Sequence, residues 1–229
     1  MRSRLLLPVL LLAPALAASG CAEVDAPLPA NGPVALTSVD GLAVKGRAPK
    51  TGYARERFGK GWLDTDGSGC GTREDILKRD LARTTFKDGC KVLTGVLEKD
   101  PYTGARITHE RGRPGVDIDH VVALSDAWQK GADGWDKGKR IAFANDPLNL
   151  LAVDAAANRE KGDGDAATWL PPDRGYRCRY VAAQIAVKRK YGLWVTAGER
   201  DAMKRVLAGC PGERLPTGGN PTRPPERLR

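Results

Sequence analysis

Histidine is nearly absent: 229 residues hold two, His109 and His120. A proton acceptor that works near neutral pH therefore falls to one of them. His109-Glu110 begins like a zinc-peptidase motif, but Arg113 stands where the second histidine belongs, which excludes that chemistry. No Cys-x-x-Cys spacing occurs, which argues against a four-cysteine zinc site. Ser125 lacks the glycines of a nucleophile elbow, so serine hydrolysis is set aside. The paired catalytic carboxylates of a cell-wall hydrolase cannot be picked out either. Beyond the N-terminus no apolar run is long enough to span a bilayer, and no internal repeat is present.

What is there is an ordinary globular composition, 41% hydrophobic and 28% charged, with 27 glycines and 16 prolines favouring loops and short elements. Arg2 and Arg4, the apolar stretch Leu5 to Leu16 and the small residues up to Gly20 predict an export signal over 1–20. Ala15-Leu16-Ala17 suits ordinary cleavage, whereas Ala18-Ser19-Gly20-Cys21 suits a lipobox, with Cys21 lipidated. Both readings put the protein outside the cytoplasm, secreted or held at the cell surface. Setting Cys21 aside leaves Cys70, Cys90, Cys178 and Cys210, an even set with three connectivities. Sequence proximity favours Cys70–Cys90 and Cys178–Cys210. The formal charge of +9 suits a polyanionic partner: nucleic acid, wall polymer or membrane surface.

Residues 21–36 read as a Pro-rich flexible tether and 211–229 as a Pro/Arg-rich disordered tail, leaving one folded domain over 37–210. Within it, helices are expected from Thr72 to about Arg83, from Leu124 through Trp128 to Gly131, over Tyr180 to Tyr191, and from the capping box Thr196/Glu199 to Leu207. Strands are expected at Val92–Leu97, Ala105–His109, Val116–Ile118 and Asn149–Val153. Asp154 then caps a helix carrying Asn158 and Lys161. Asp64 to Asp75 fits the calcium-loop template apart from its final acid and its missing entering helix; a Gly-rich turn tied by Cys70 is the stronger reading. The five tryptophans are read mainly as core or rim, base stacking on Trp128 or Trp135 being the weaker alternative.

The chemistry concentrates in three blocks: Asp119-His120-Val121-Val122-Ala123-Leu124, Phe143 to Leu150 with Asn145-Asp146-Pro147-Leu148-Asn149 at its centre, and Asn158-Arg159-Glu160-Lys161-Gly162-Asp163. Together they resemble the HNH, or ββα-metal, nuclease superfamily. More narrowly they resemble secreted HNH proteins related to the nuclease domain at the C-terminus of GmrSD-type modification-dependent restriction enzymes. The resemblance is strongest over 105–172. It implies an α+β fold with a ββα-metal core, additional helices, two disulfides and disordered termini. It also implies an exported endonuclease of low sequence specificity, with nucleic acid as partner, DNA ahead of RNA; no protein partner is implied, and membrane contact is expected only through a lipid at Cys21. By the same resemblance His120 is the general base, Asn149 positions it, Asp119 and Asn158 ligate the metal, and Lys161, with Arg159 beside it, reaches phosphate. His109 reads as a strand residue near the site rim, with Arg111 and Arg113 available to phosphates. Oxygen ligands suit Mg²⁺, with Mn²⁺, Ca²⁺ or Zn²⁺ as alternatives. Adjacent strand residues face opposite ways, so Asp119 and His120 can converge only if the strand bulges or ends at residue 119, and that irregularity is expected. The rival reading is a polyanion-binding surface lipoprotein on the same scaffold, without catalysis.

Overall fold

A computed structural model describes residues 28–113 and 115–228; the signal segment and Cys21 lie outside them. The chain is mixed α+β. A short helix α1 (Ala35–Ser38) is followed, after a long loop, by α2 (Thr72–Asp80) and a three-stranded antiparallel sheet of β1 (Ala82–Lys87), β2 (Lys91–Leu97) and β3 (Ile107–Glu110). Next come β4 (Val116–His120), α3 (Leu124–Trp128), α4 (Lys137–Ala144), β5 (Leu150–Asp154) and α5 (Ala155–Lys161). Two longer helices close the domain, α6 (Arg177–Tyr191) and α7 (Ala197–Ala208). Among the described residues no helix is long and apolar enough to cross a membrane.

Two disulfides are formed, Cys70–Cys90 and Cys178–Cys210. The first ties the Gly-rich loop to the turn before β2, and the second joins α6 to the end of α7. Asp64 accepts from the amides of Gly67 (2.7 Å) and Gly69 (3.1 Å), so its carboxylate organises the loop itself.

β4 and β5 form a separate antiparallel pair, and α5 follows β5 without a break, giving the order strand, strand, helix. The pair is wedged between two cores. Val116, Ile118, Leu150 and Ala152 pack with Ile76 and Leu77 of α2 and with Val92 and Leu97. Leu151 and Val153 belong to the larger core with Ala157, Tyr102 and the apolar residues of α6. Cross-strand partners share a face. Asp117 (opposite Val153) and Asp119 (opposite Leu151) therefore lie on the α5–α6 face, and His120 (opposite Leu150) lies on the other.

Two expectations need correction, and one helix was not foreseen. The helix expected to reach Arg83 stops at Asp80, and Ala82–Lys87 becomes an edge strand instead. That strand is mostly exposed, so no buried alternation marked it. α4 was not anticipated; Asp136 caps it by accepting from the Lys139 amide, and Ile141, Ala142 and Phe143 are buried. The segments read as tether and tail also pack together where they are described. The Leu215 amide donates to the Pro33 carbonyl, the Gly32 amide to the Leu215 carbonyl, and both Leu215 and Ala35 are buried. Further on, Asn220 donates to Asp146 and Thr65. A few apolar side chains and paired backbone groups outweigh the proline content that suggested disorder.

Below this face a charged cluster is sealed inside the protein. Lys130 lies 2.6 Å from Asp126, 2.8 Å from Asp165 and 2.6 Å from Glu199. Lys188 lies 3.1 Å from Asp126 and 2.8 Å from Glu199. Arg47 reaches Asp126 and Asp165 from the edge. Burial works against the charge on Lys188, but Asp126 and Glu199 outweigh it and hold the ammonium above the usual lysine range. The cluster joins α3, α6 and α7, so it fixes the helices that support the β4–β5 pair.

Candidate functional site

β4 and β5 pair in unbroken register from Val116–Asp154 to His120–Leu150, so the irregularity expected at residue 119 is absent. The strand ends one residue after the acid. Beyond His120 the chain bends, the Val121 amide donates to the Asn149 carbonyl, and the Asn149 side chain closes on both the amide (2.8 Å) and the carbonyl (3.3 Å) of Val122. Asn149 is fully buried and works as a clamp on the turn that follows His120.

His120 is 6% exposed. Its Nε2 sits 2.9 Å from the Ala144 carbonyl oxygen. A carbonyl can only accept, so Nε2 carries the proton and Nδ1 keeps its lone pair. The ring stacks on Trp62, centroids 5.5 Å apart and planes 12° from parallel. A cavity of about 80 Å³ opens beside it, bordered by Arg55, Phe58, Gly61, Trp62 and Leu124. Gly59 and Gly61, at φ of 104° and 66°, let the loop turn over the imidazole, a backbone conformation other residues resist. Neither Arg55 nor Trp62 was singled out from the sequence. They lie about sixty residues upstream in a Gly-rich loop, and only the fold brings them to His120.

Burial, reinforced by Arg55 and Lys161, pushes the His120 imidazole down to about 3, despite support from the Ala144 carbonyl. In the unfolded chain the same ring titrates near 6.5. Between these values only the unfolded state takes up the proton, so stability is full above pH 6.5 and declines as pH falls toward 3. The loss attributable to this residue between pH 7 and pH 4.5 is expected to be about 2.5 kcal/mol. Urea unfolding of wild type and His120→Gln at both pH values measures it. Equal losses in the two proteins would show that His120 does not cause them.

On the opposite face Asp119, 6% exposed, receives hydrogen bonds from the Tyr102 hydroxyl at Oδ2 and from Lys161 Nζ at Oδ1, the latter at 2.9 Å. Burial raises its carboxyl above the usual range, and Lys161 and Tyr102 only partly offset this. The same Lys161 ammonium donates to the His120 backbone carbonyl at 2.9 Å, so it bridges both members of the pair. Asn158 does not meet Asp119; its Nδ2 donates to Asp117 Oδ2 at 3.3 Å. Asp117 and Tyr102 are further site residues that the motif did not isolate. Alternation along β4 could have flagged Asp117, which shares a face with Asp119.

Arg159 is exposed on α5. Arg111 donates to Glu74 and, at 2.9 Å, to the Val92 carbonyl, and does not border the His120 cavity. Trp128 is 7% exposed and its indole donates to the Thr51 carbonyl, while Trp135 packs on Phe143 and Tyr191. Trp128 is therefore a core residue, and Trp135 is a partly buried rim residue packed against the core. A wider cleft of about 700 Å³, bordered by Arg79, Leu97, Leu151 and Tyr176, contains neither His120 nor the acids of β4.

Asp117, Asp119 and Asn158 can each offer oxygen, while Asn158 Nδ2 and Lys161 Nζ occupy the two carboxylates, and no group of three or more His, Cys, Asp or Glu gathers among the described residues. Oxygen ligands in such small number suit a hard cation that keeps several waters, not an all-protein cage.

No solved structure matches the chain. An uncharacterized secreted protein of Arthroderma benhamiae is 39% identical to it over 189 residues, spanning 80% of this chain and 90% of that protein. Residues 71–206, which contain β4, β5, α5 and their supporting helices, match the family described as GmrSD restriction endonucleases, C-terminal domain. The chain belongs to that family of restriction-endonuclease C-terminal domains.

Proposed function

We propose that the protein is an exported, divalent-metal-dependent endonuclease of the HNH, ββα-metal type, hydrolysing phosphodiester bonds of nucleic acid, DNA ahead of RNA, with little sequence preference. The observation that carries this reading is the state of His120. It is a neutral imidazole at a strand end, Nε2 spent on a carbonyl and the Nδ1 lone pair free to accept, one residue from Asp119. Membership of a restriction-endonuclease domain family, a secreted relative and two disulfides support the wider frame.

In this reading His120 Nδ1 takes a proton from water, the resulting hydroxide attacks phosphorus, and the P–O bond to the departing 3′-oxygen breaks, that oxygen being protonated from solvent. Asn149 keeps the ring in place by clamping the turn behind it. Asp119 and Asn158, with Asp117 beside the latter, would hold the cation, which would stabilise negative charge on the phosphate. Because the two faces of β4 meet only at its end, a substrate strand crosses there, with Arg55 on one side and Lys161 and Arg159 on the other. Lys161 exchanges the Asp119 carboxylate for a phosphate oxygen, so its charge stays compensated. Mostly backbone contacts make binding salt-sensitive and weakly selective. A lipid on Cys21 would keep the enzyme at the cell surface; ordinary cleavage would release it.

Plasmid, single-stranded DNA and RNA incubated with Mg²⁺, Mn²⁺, Ca²⁺ or Zn²⁺, beside an EDTA control, test the proposal. Cleavage with at least one metal and none in EDTA is expected. The Lys161–Asp119 ion pair favours one rival, a non-catalytic polyanion binder in which that pair never opens. Salt-dependent DNA binding with no cleavage in any metal would select it.

A further inference from the structure

His109 has no place in that mechanism, yet it is an anomaly in the fold. It is 3% exposed, and both its ring nitrogens are buried without a hydrogen-bond partner among the described residues. A buried polar side chain with neither nitrogen satisfied is costly and calls for a cause, such as a ligand that completes it. The surroundings say what kind. His109 borders a cavity of about 220 Å³ together with Arg73, Arg111, Arg113 and Asp117. Glu74 holds Arg111, and Glu110 lies 3.1 Å from Arg113, whereas Arg73 makes no ion pair among the described residues. Burial, and then Arg73 and Arg111, disfavour a proton on His109, so the ring is neutral and offers one N–H to an acceptor. Three guanidinium groups and an imidazole N–H around a cavity of this size form a receptor for a tetrahedral oxyanion.

The cavity also has a defined relation to the rest of the site. Asp117 borders it and meets Asn158. From Asp117 to His120 the strand rises three residues, about 10 Å, a span that one nucleic-acid strand can cover. We propose that the pocket of Arg73, His109, Arg111 and Arg113 is a second phosphate subsite, taking a non-scissile backbone phosphate of the strand cleaved at His120. This rests on the nuclease reading for the identity of the strand, and the pocket's anion chemistry stands on its own residues. It gives the enzyme a minimum substrate length without any contact to bases, and it orients the strand along β4.

The two-histidine composition makes the test direct, because imidazole ¹⁵N spectra of the full chain carry two side-chain signal sets, distinguished by His109→Gln. The protein in EDTA is titrated with a single-stranded octanucleotide and, separately, with inorganic phosphate. The octanucleotide is expected to shift the His109 signals saturably. Arg73→Ala should weaken that binding about tenfold and lower the slope of log affinity against log salt by about 0.7. Arg73 is partly exposed and Arg113 is exposed, so Arg113→Ala serves as a second variant if the first unfolds. His109 signals that stay still with the octanucleotide overturn the proposal. So does inorganic phosphate binding as tightly as the octanucleotide, which would make the pocket a free-anion site. Loss of DNA cleavage in the metal series, with His109 still responding to the strand, would remove the nuclease reading and leave the subsite standing.

Discussion

His120→Ala is expected to lower the rate of plasmid nicking in Mg²⁺ by about 10²–10⁴-fold, the usual contribution of a positioned general base. The affinity for DNA, measured in EDTA, should change little, because the ring is buried and the contacts to phosphate come from arginines and lysines. Near-UV circular dichroism and urea unfolding check that the fold survives, since the variant also leaves Trp62 without its stacking partner. Nicking at the wild-type rate by a folded His120→Ala protein would remove His120 from the mechanism. The neighbouring acid needs a gentler change. Asp119→Ala would strand the Lys161 ammonium in a buried site, where its side chain is 0% exposed, and confound chemistry with unfolding. Asp119→Asn keeps an oxygen for Lys161 and tests the ligand role more cleanly.

The second large effect concerns stability. Lys188→Met should destabilise the domain by about 3–5 kcal/mol, because it leaves Asp126 and Glu199 buried with one cation fewer. Against a total stability of roughly 5–15 kcal/mol, that is enough to unfold a measurable fraction at 37 °C. Urea denaturation of the single variant and of Lys188→Met/Glu199→Gln reads the coupling directly. The double variant should cost less than the sum of its parts by about 1–3 kcal/mol, as groups in one charged network do. Strict additivity would mean that the two side chains do not sense each other. DNA binding in EDTA by surviving folded protein should be unaltered, since none of these groups reaches the surface.

Most regular elements could be read from the sequence because they bury one stripe or one face. α2 begins at Thr72, α6 ends at Tyr191, and α7 carries the Thr196/Glu199 capping box. β2, β4 and β5 stand within one or two residues of the alternating or apolar runs that announced them. The elements that escaped carry weak local patterns. β1 is exposed almost throughout, and α4 sits in a lysine- and glycine-rich stretch. The packed parts of tether and tail escaped for another reason: their partners are about 180 residues apart, and proline content says nothing of such pairing.

The site divides along the same line. Sequence by itself determined which residue types meet in β4, β5 and α5: an Asp-His step, an asparagine before the second strand, and an asparagine and a lysine on the following helix. Those are local, because strand alternation and helical spacing place them. Tertiary structure alone decided the partners. Asp119 faces Tyr102 and Lys161, and His120 faces Ala144 and Trp62, because a register unbroken to the strand end sends adjacent side chains to opposite faces. Asn158 meets Asp117 for the same reason: α5 covers the face that the alternate acids share. The loop over His120 and the basic pocket around His109 likewise exist only once distant segments pack, since burial and charge proximity are properties of the folded chain.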